Sequence, residues 1–529
     1  MKLRRTGSIT IFMSLMLMVV ASLLFALLEV SRFMMLKMTA VLNSQSVTES
    51  LFAEYHVPAY QNYHLLMFDS SYDSGQLLLS KVNQKMQELG QENLNPTVIG
   101  FGRYSNFLQM NVTESSVVRY ELATDQNAEP LLKQISQFMK KEFAADLAED
   151  VYKKVTDVQQ SGKQGEKADQ YLDGALETIE QAKESEQEAA NRKLVLRSNA
   201  KSKGQAVLSQ KADLKAERNT DSSMGTEVEN PMEEIKNAKS SPLLSQILSS
   251  EVGVSSKQLS KEDAIEKRTL NVGNYDSSGS FGMMDKIVIL QYLKKYTSNF
   301  INKDSMPHAL AYEQEYLLFG KDSDEDNLKK MASRLLLIRE GINFAYLMTD
   351  TVKCEEAFAV AASIAAVAQI PAAVKAIQMG ILASWAYAES IAELRTLFTG
   401  GKIAVVKASE NWTVSLTEAA SVPFQNAIKS KEVQSGLEYE DYLQTFLAIE
   451  NIKKIGNRFA NLLEKNIRLY KGYEQVKLDC MITAMETTHK YHARQVFLTF
   501  VTIARLSKKG YHYEETYKFS YIDQKEDTK

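Results

Sequence analysis

The pattern of hydrophobic and polar positions changes period several times along the chain, and its first segment has no polar face. No charged residue occurs from Ile9 to Leu28, and 17 of these 20 residues are apolar. An α-helix of this length spans about 30 Å, which matches the hydrocarbon thickness of a bilayer. We therefore predict a transmembrane helix whose lipid-facing anchor residues are Ile9, Phe12, Leu15, Val19, Leu23 and Leu28.

The charges on either side of this run predict its orientation. Three cations precede it, whereas the first three charged residues after it sum to a single positive charge. Because the more positive flank stays inside, the N-terminus is expected in the cytoplasm and the rest of the chain outside. The run is also longer than the roughly 7–15 apolar residues of a cleaved signal peptide, which favours an uncleaved, single-pass anchor in the cell membrane. The three cations are Lys2, Arg4 and Arg5.

Two further features of the run leave alternatives open. Basic residues, then Gly7, then an apolar helix is the order of a pilin-type leader that is cut after the glycine. Pilins usually carry Glu five residues beyond the cut, where this chain has Phe12. Gly7, Ser14 and Ala21 recur on one helix face, and such small residues let transmembrane helices approach closely. This pattern predicts a homo-oligomer formed through the transmembrane helix.

The helical pattern continues past the apolar run. Residues 30–54 contain neither Pro nor Gly, so we predict a stalk helix that runs on to the stop near Pro58. Residues 97–101 and 107–120 alternate and are rich in β-branched and aromatic residues, which predicts strands, and residues 131–158 read as an amphipathic helix.

The C-terminal part of the chain returns to period two. Tyr511 to Tyr521 alternates between aromatic and polar residues, which strongly predicts a strand, and residues 481–504 add one or two more. Strands at both ends of the chain therefore enclose a long middle section. We expect these strands to form one β-containing unit near the membrane.

The middle section begins with a stretch of unusual composition. Residues 172–274 contain no Phe, Tyr or Trp and are rich in Lys, Glu, Gln and Ser. Such a segment buries too little apolar area to offset its conformational entropy, so we predict a polar linker or an exposed helix.

The rest of the middle section has helical spacing throughout. Residues 357–374 carry no charge and are rich in alanine. A second membrane span is one interpretation, but Gln369, Pro371 and the alanine content favour a buried soluble helix. Helices are predicted at residues 284–296, 324–348, 355–369, 372–397 and 439–470.

The predicted fold class is α+β and mostly helical. A transmembrane helix continues into a stalk helix, segments from both ends of the chain form a β-containing, pilin-like unit, and a large helical region is inserted between them. The predicted segments are a cytoplasmic basic tail (1–8), the signal anchor (9–28), the stalk (29–56), a membrane-proximal α/β region (57–160), the linker (161–275), a helical domain (276–478) and C-terminal strands (479–529).

Charge and composition exclude several functions. The chain has 66 acidic and 62 basic residues, which disfavours a nucleic-acid binder. Only Cys354 and Cys480 are present, so neither a disulfide framework nor a thiolate zinc site is expected. The acidic run at residues 322–326 suits a helix N-terminus better than a calcium loop, and His489 and His492 would lie on opposite faces of a strand. The sequence thus assigns no catalytic residue, cofactor or metal.

Several sequence blocks resemble the family of unknown function DUF5702, found in Clostridia-like Gram-positive bacteria. They cover residues 7–12, 63–69, 315–320, 335–340, 385–390 and 400–402. The resemblance implies an exported, membrane-anchored protein associated with tight-adherence (Tad) pilus loci and TadE-like minor pilins. It carries no established activity, so no residue role is transferred.

Three functions follow from these observations. The leading hypothesis is a structural component of a Tad-type pilus or secretion apparatus, with the lipid bilayer and pilus or secretion-system proteins as partners. The alternative is a surface-anchored binding module or adhesin, presented on the polar linker. The third is an extracytoplasmic enzyme, for which no acid, base or nucleophile converges by spacing.

Overall fold

The computed structural model describes residues 6–95, 108–140, 231–249, 251–260, 263–275, 281–303, 306–497 and 510–522. Predictions that fall on the basic tail (Lys2, Arg4 and Arg5), on residues 97–101, 141–158 and 161–230 or on residues 498–504 lie outside these ranges. Within them the chain is mostly helical with one small antiparallel sheet, which confirms the α+β class.

Thirteen α-helices and four strands are formed by the described residues. The strands are β1 (Phe68–Asp69), β2 (Met110–Leu122), β3 (Met481–Ala493) and β4 (Tyr511–Ser520). The first helices are α1 (Thr6–Phe52), α2 (Val57–Tyr63), α3 (Leu79–Leu94), α4 (Asp125–Lys140), α5 (Pro231–Ser240) and α6 (Leu243–Ile247). The others are α7 (Met283–Tyr296), α8 (Glu313–Phe319), α9 (Asp324–Leu347), α10 (Thr351–Val367), α11 (Val374–Leu397), α12 (Tyr439–Ile449) and α13 (Ile452–Ile467).

The sheet joins the two ends of the chain, as the sequence predicts. Strand β3 is central and pairs antiparallel with β2 along one side. Its other side pairs with β4 from Ala484 to Ala493 and with the short β1 at Met481 and Ile482. One face of the sheet is polar, with ion pairs such as Lys490–Glu114 at 2.8 Å. The opposite face is covered by helices, which is the usual arrangement of an antiparallel sheet.

Helices α1 and α3 cover the buried face of the sheet, and together with the strands they form what we call the sheet unit. Val47 and Leu51 of α1 join Val82 and Met86 of α3 in one apolar cluster against the sheet. Nearer the start of α1, Leu36 and Ala40 join Met110, Val112, Tyr491 and Ala493 in a second. The predicted stalk helix is present as the second half of α1, and one side of it packs along the sheet.

A separate and larger core belongs to the helical domain, which contains α2, α4 and the helices from α5 to α13. Helix α11 lies at its centre, and every residue from Ile377 to Leu397 is buried. The predicted membrane-proximal region 57–160 is thus divided, because α3 and β2 belong to the sheet unit whereas α2 and α4 belong to the helical core.

The end of the predicted linker is not a linker. Met232, Ile235 and Ala238 of α5 are fully buried in the helical core. In α6, the Gln246 side chain accepts a hydrogen bond from the Tyr387 hydroxyl at 2.9 Å, and its carbonyl oxygen accepts one from Arg395 at 2.7 Å. Residues 231–247 therefore do not form a low-contact linker, because their aliphatic side chains pack into the helical core although the segment contains no aromatic residue.

Two other helix predictions need correction. The predicted helix 439–470 is two helices, because Glu450 has an extended ψ of 156° and Asn451 caps a new helix through a bond from the Lys453 amide at 2.9 Å. The alanine-rich helix α10 buries only one face, through Ala357, Ala361 and Ala365. The opposite face is exposed, so the interpretation of 357–374 as a buried helix is correct for one face only.

Candidate membrane and assembly surface

Helix α1 begins with a segment that has no protein core around it. The predicted anchor residues of residues 9–28 are all exposed, from 48% for Leu28 to 66% for Val19. The hydroxyls of Ser14 and Ser22 donate to the carbonyl oxygens of Ile11 and Val19 at 2.8 Å, so these polar groups are satisfied within the helix. Among the described residues, α1 is the one helix long and apolar enough to cross a membrane.

The first charges after this segment are paired and shielded. Glu29 and Arg32 are 1% and 3% exposed, and Arg32 Nη1 donates to Glu29 Oε1 at 3.0 Å. Arg32 also donates to the Leu108 carbonyl oxygen, and Glu29 Oε2 accepts from the Phe497 amide at 2.8 Å. We call Glu29, Arg32, Leu108 and Phe497 the collar. The collar lies at the boundary between the apolar segment and the sheet, and both of its charges are paired with protein groups rather than solvated by water.

Beyond the collar, the side of α1 that faces the sheet makes polar contacts as well as the two apolar clusters. The Ser44 and Tyr491 hydroxyls are 2.8 Å apart, and those of Thr48 and Thr487 are 2.9 Å apart. Thr487 in turn contacts His489 Nε2 at 3.1 Å. Burial lowers the pKa of His489 to about 4, so its imidazole is neutral near pH 7. Directional bonds of this kind fix which turn of α1 meets which residue of β3.

The opposite side of α1 carries a surface that we call the outer stripe. Its six residues repeat at helical spacing and are between 43% and 65% exposed. After the stripe, the same face turns polar at Gln45 and Ser46. The outer stripe thus continues the apolar surface of residues 9–28 along one face, on which Ser31 is also exposed and which the exposed Lys37 flanks. The six residues are Val30, Met34, Met35, Met38, Val41 and Leu42.

Sequence reasoning did not single out the outer stripe, although its signal is present. Val30, Met34, Met38 and Val41 follow the spacing i, i+4, i+8 and i+11 of one helix face. Gly7, the candidate leader cleavage site, lies in α1.

The small residues predicted to mediate self-association lie elsewhere on α1. By helical periodicity, Ser14 and Ala21 share the side of the helix that carries Phe25 and Glu29. Phe25 stacks on Phe497, which follows strand β3. The small-residue face therefore points the same way as the sheet, and the outer stripe points away from it.

The other candidate residues have structural surroundings. Ser323 caps α9, its hydroxyl accepting from the Asp326 amide at 3.1 Å, so the acidic run at 322–326 is a helix start as predicted. Cys354 and Cys480 are free thiols. Burial raises the pKa of the Cys480 thiol to about 12, which makes it a poor nucleophile. Among the described residues, no three His, Cys, Asp or Glu side chains are arranged to hold a metal ion.

The helical domain buries a group of charged side chains at its centre. Arg339 Nη2 donates to Glu393 Oε1 at 2.7 Å, and Lys407 Nζ donates to Glu389 and Glu393 at 2.6 and 2.7 Å. Asn343 adds a bond to Glu393 at 2.8 Å. Burial disfavours the charged form of Glu393, but Arg339 and Lys407 outweigh it and lower its pKa to about 2. Each carboxylate is thus held by cations within the fold.

A second buried acid lies on α8. Burial raises the pKa of Glu315 to about 7, against hydrogen bonds from the Tyr439 hydroxyl at 2.6 Å and the Phe300 amide at 3.0 Å. Both bonds reach Oε1, and the buried Oε2 has no hydrogen-bond partner among the described residues. Glu315 is therefore able to change its charge near neutral pH inside the core.

The described residues form an α+β protein with a sheet unit and a helical domain, and one of their helices is suited to crossing a membrane. A family model described as a family of unknown function (DUF5702) matches residues 221–493, which is just over half of the chain. The chain therefore belongs to this family. The match covers most of the helical domain and ends with β3 at Ala493. Neither the curated proteins nor the solved structures contain a match to the chain.

Proposed function

We propose that this protein is a membrane-anchored, extracytoplasmic structural component in which α1 both anchors the chain and joins it to other copies. The outer stripe carries the proposal, because it extends the apolar surface beyond what a bilayer covers. From Ile9 to Leu42 the helix is about 50 Å long, against a hydrocarbon thickness of about 30 Å. About 20 Å of apolar helix surface thus lies beyond the bilayer and needs a protein partner.

A second copy of the chain is the partner that fits best. Every copy carries the same apolar segment, so a bilayer holds all copies at one depth and in one orientation. The outer stripes of neighbouring copies then lie level with each other and parallel. Three of the six stripe residues are methionines, whose flexible thioethers adapt to a facing helix.

The proposed topology follows from the flanking charges. Lys2, Arg4 and Arg5 hold the N-terminus in the cytoplasm, and the sheet unit and helical domain lie outside. An impermeant maleimide tests this in intact cells with a single cysteine at Ser520, in a background in which Cys354 and Cys480 are replaced. We expect labelling without lysis. A site that reacts only after lysis would contradict this topology.

The finer proposal is that the assembly is a pilin-like or accessory part of a Tad-type pilus or secretion apparatus. Its support is the resemblance stated above and the order of a basic tail, Gly7, an apolar helix and an antiparallel sheet packed on the same helix. Deleting the gene in the cell of origin should remove or shorten the pili. Unchanged pili would refute the finer proposal and leave the anchored assembly to be judged separately.

Self-association is tested with two differently tagged copies of the full chain in one membrane. Pull-down of one tag should recover the other, and the double variant Met34→Asp/Met38→Asp should lose most of this recovery. Val406→Asp is the matched control, because Val406 is an equally apolar side chain that is 78% exposed in the helical domain. Equal recovery from all three proteins would contradict the proposal.

The alternative functions have less support. The tethered-adhesin alternative depends on the polar segment 172–274, whose last part is packed in the helical core. For an enzyme, the buried carboxylates Glu389 and Glu393 are both held by cations within the fold. We therefore propose a structural role rather than a catalytic one.

A further inference from the structure

The chain that leaves β3 runs back along α1 toward its N-terminus. The last residue of β3, Ala493, pairs with Tyr511. The ring of Tyr511 lies 5.5 Å from that of Phe33. Four residues after Ala493, the Phe497 ring stacks on Phe25, with centroids 6.4 Å apart and planes 10° apart. From Phe33 to Phe25 is about 12 Å along the helix axis, so this connection descends beside α1.

The descent ends at the level of the apolar segment. Phe25 belongs to the uncharged run that ends at Leu28, and it lies about 5 Å inside that end. If residues 9–28 cross the bilayer, the stacked pair of Phe25 and Phe497 lies within the hydrocarbon. A ring at this depth exchanges contact with water for contact with lipid, which is favourable for an aromatic side chain.

The collar explains how polar groups tolerate this position. Glu29 and Arg32 are the first charges above Phe25, and each is almost completely buried. Glu29 also accepts a hydrogen bond from the Phe497 amide, which would otherwise be an unpaired backbone donor near hydrocarbon. Backbone groups at this depth need a protein partner, because lipid tails offer none.

Tyrosines lie just above the collar, where headgroups are expected. The rings of Tyr511 and Tyr513 lie 5.5 and 5.7 Å from Phe33 and are half-buried. Tyrosine is enriched at membrane interfaces because its ring is apolar and its hydroxyl is polar. The sequence adds an independent observation, because the chain is uncharged from Val496 to Ala504 and then becomes basic.

We propose that the sheet unit has its own membrane contact, in which Phe497 beside Phe25 inserts into the leaflet on the side of the sheet and Tyr511 and Tyr513 lie among the lipid headgroups. This inference rests on the proposed anchoring by α1 and goes beyond it. The sheet then sits directly on the bilayer, and the collar sets its height. The partner is a lipid surface, and anchoring at two points fixes the direction in which the outer stripe faces.

Fluorescence quenching by lipid measures the depth directly. Single cysteines are introduced at Met18, Phe497, Tyr513 and Val118 of the full chain, with Cys354→Ser and Cys480→Ala as background. Each is labelled with an environment-sensitive dye, and the protein is placed in phosphatidylcholine–phosphatidylglycerol vesicles. The vesicles carry a quencher either near the headgroup or near the chain end. Val118 is the control, because it is 45% exposed on β2 well above the collar.

We expect the chain-end quencher to reduce dye fluorescence most strongly at position 18, and the headgroup quencher to reduce it most strongly at positions 497 and 513. Neither quencher should reduce the fluorescence of a dye at position 118. If position 18 is quenched but 497 and 513 are not, the anchor stands and this inference fails. If position 18 is not quenched, the proposed anchoring itself fails. An unfolding curve unchanged by the label would show that labelling at position 497 leaves the aromatic stack intact. If the curve does change, quenching at position 513 alone tests the inference.

Discussion

The helical domain buries charged side chains in its core, whereas the sheet unit leaves apolar side chains exposed on one helix. In the helical domain, α11 is buried from Ile377 to Leu397, although it contains Glu389, Glu393 and Arg395. In the sheet unit, α1 leaves apolar side chains exposed along one face from Ile9 to Leu42. Both helices are rich in apolar residues, so hydrophobicity alone does not distinguish them. What separates them is where their charges find partners.

This difference shows how each helix is held. The charges of α11 are paired with α9, with Lys407 and with backbone carbonyl oxygens, so the core forms around a polar centre. Residues 9–28 of α1 have no charge to pair and no core to enter. Helix α11 is thus specified by its protein neighbours, whereas the first half of α1 has the length and composition that suit a surrounding bilayer.

Breaking the polar centre should have the largest effect. Glu393→Ala leaves Arg339 and Lys407 without their shared carboxylate, and an uncompensated buried charge costs about 3–5 kcal/mol. Glu325→Ala is the matched control, because Glu325 is 55% exposed and pairs with an exposed lysine on α9. It should change the free energy of unfolding by less than about 0.5 kcal/mol. Denaturant unfolding of the full chain in detergent measures both, and equal losses would contradict the comparison.

A charge placed in α1 should act on insertion rather than on packing. Met18→Arg should raise the free energy of membrane insertion by about 2.5–3.5 kcal/mol. An arginine introduced into α10 should leave membrane insertion unaffected. Ala365→Arg should destabilise the fold because Ala365 is buried, while Ala366→Arg should be nearly neutral because Ala366 is exposed. Membrane fractionation and unfolding curves separate the two effects, and an insertion defect from the α10 variants would refute the single-span account.

The two regions should respond to pH in opposite directions. The pKa of His489 is about 4 in the fold, so the unfolded chain takes up its proton first and the sheet unit loses stability as pH falls from 6.5 to 4. The pKa of Glu315 is about 7, so the unfolded chain loses its proton first and the helical domain loses stability as pH rises from 4.5 to 7. Each effect changes the free energy of unfolding by at most about 3.4 kcal/mol.

Hydrogen exchange reports the stability of each region separately. The protein is equilibrated with denaturant at either end of the pH window and labelled by a pulse at one fixed pH. His489→Gln should remove the pH response of the sheet unit, and Glu315→Gln should remove that of the helical domain. Both regions shifting in the same direction would show that other groups dominate.

The local elements are predictable from sequence to different degrees. The apolar segment of α1 follows from its uninterrupted uncharged run, and strand β4 follows from its period-two alternation. The packing of α5 was missed because it uses Met232, Ile235 and Ala238 rather than aromatic residues. The pairing of β2 with β3 joins segments about 370 positions apart, and local propensity carries no information on such contacts.

The outer stripe and the collar could be predicted only in part, because they too depend on contacts between distant parts of the chain. The outer stripe is visible in the sequence as a helical repeat, but only the sheet on the other side of α1 shows which residues stay exposed. The collar needs Glu29 from α1 and Phe497 from the far end of the chain. The partners of Glu393 likewise come from α9 and from the loop after α11.

The most direct test of the central claim is cross-linking between copies in the membrane, with single cysteines along α1. Met38 lies near the middle of the outer stripe, whereas Ser46 lies on the same helix face beyond the stripe, where that face is polar. In a background with Cys354 and Cys480 replaced, a cysteine at position 38 should form a disulfide-linked dimer on mild oxidation, and one at position 46 should form little. Equal cross-linking at both positions, or none at position 38, would contradict assembly through the outer stripe.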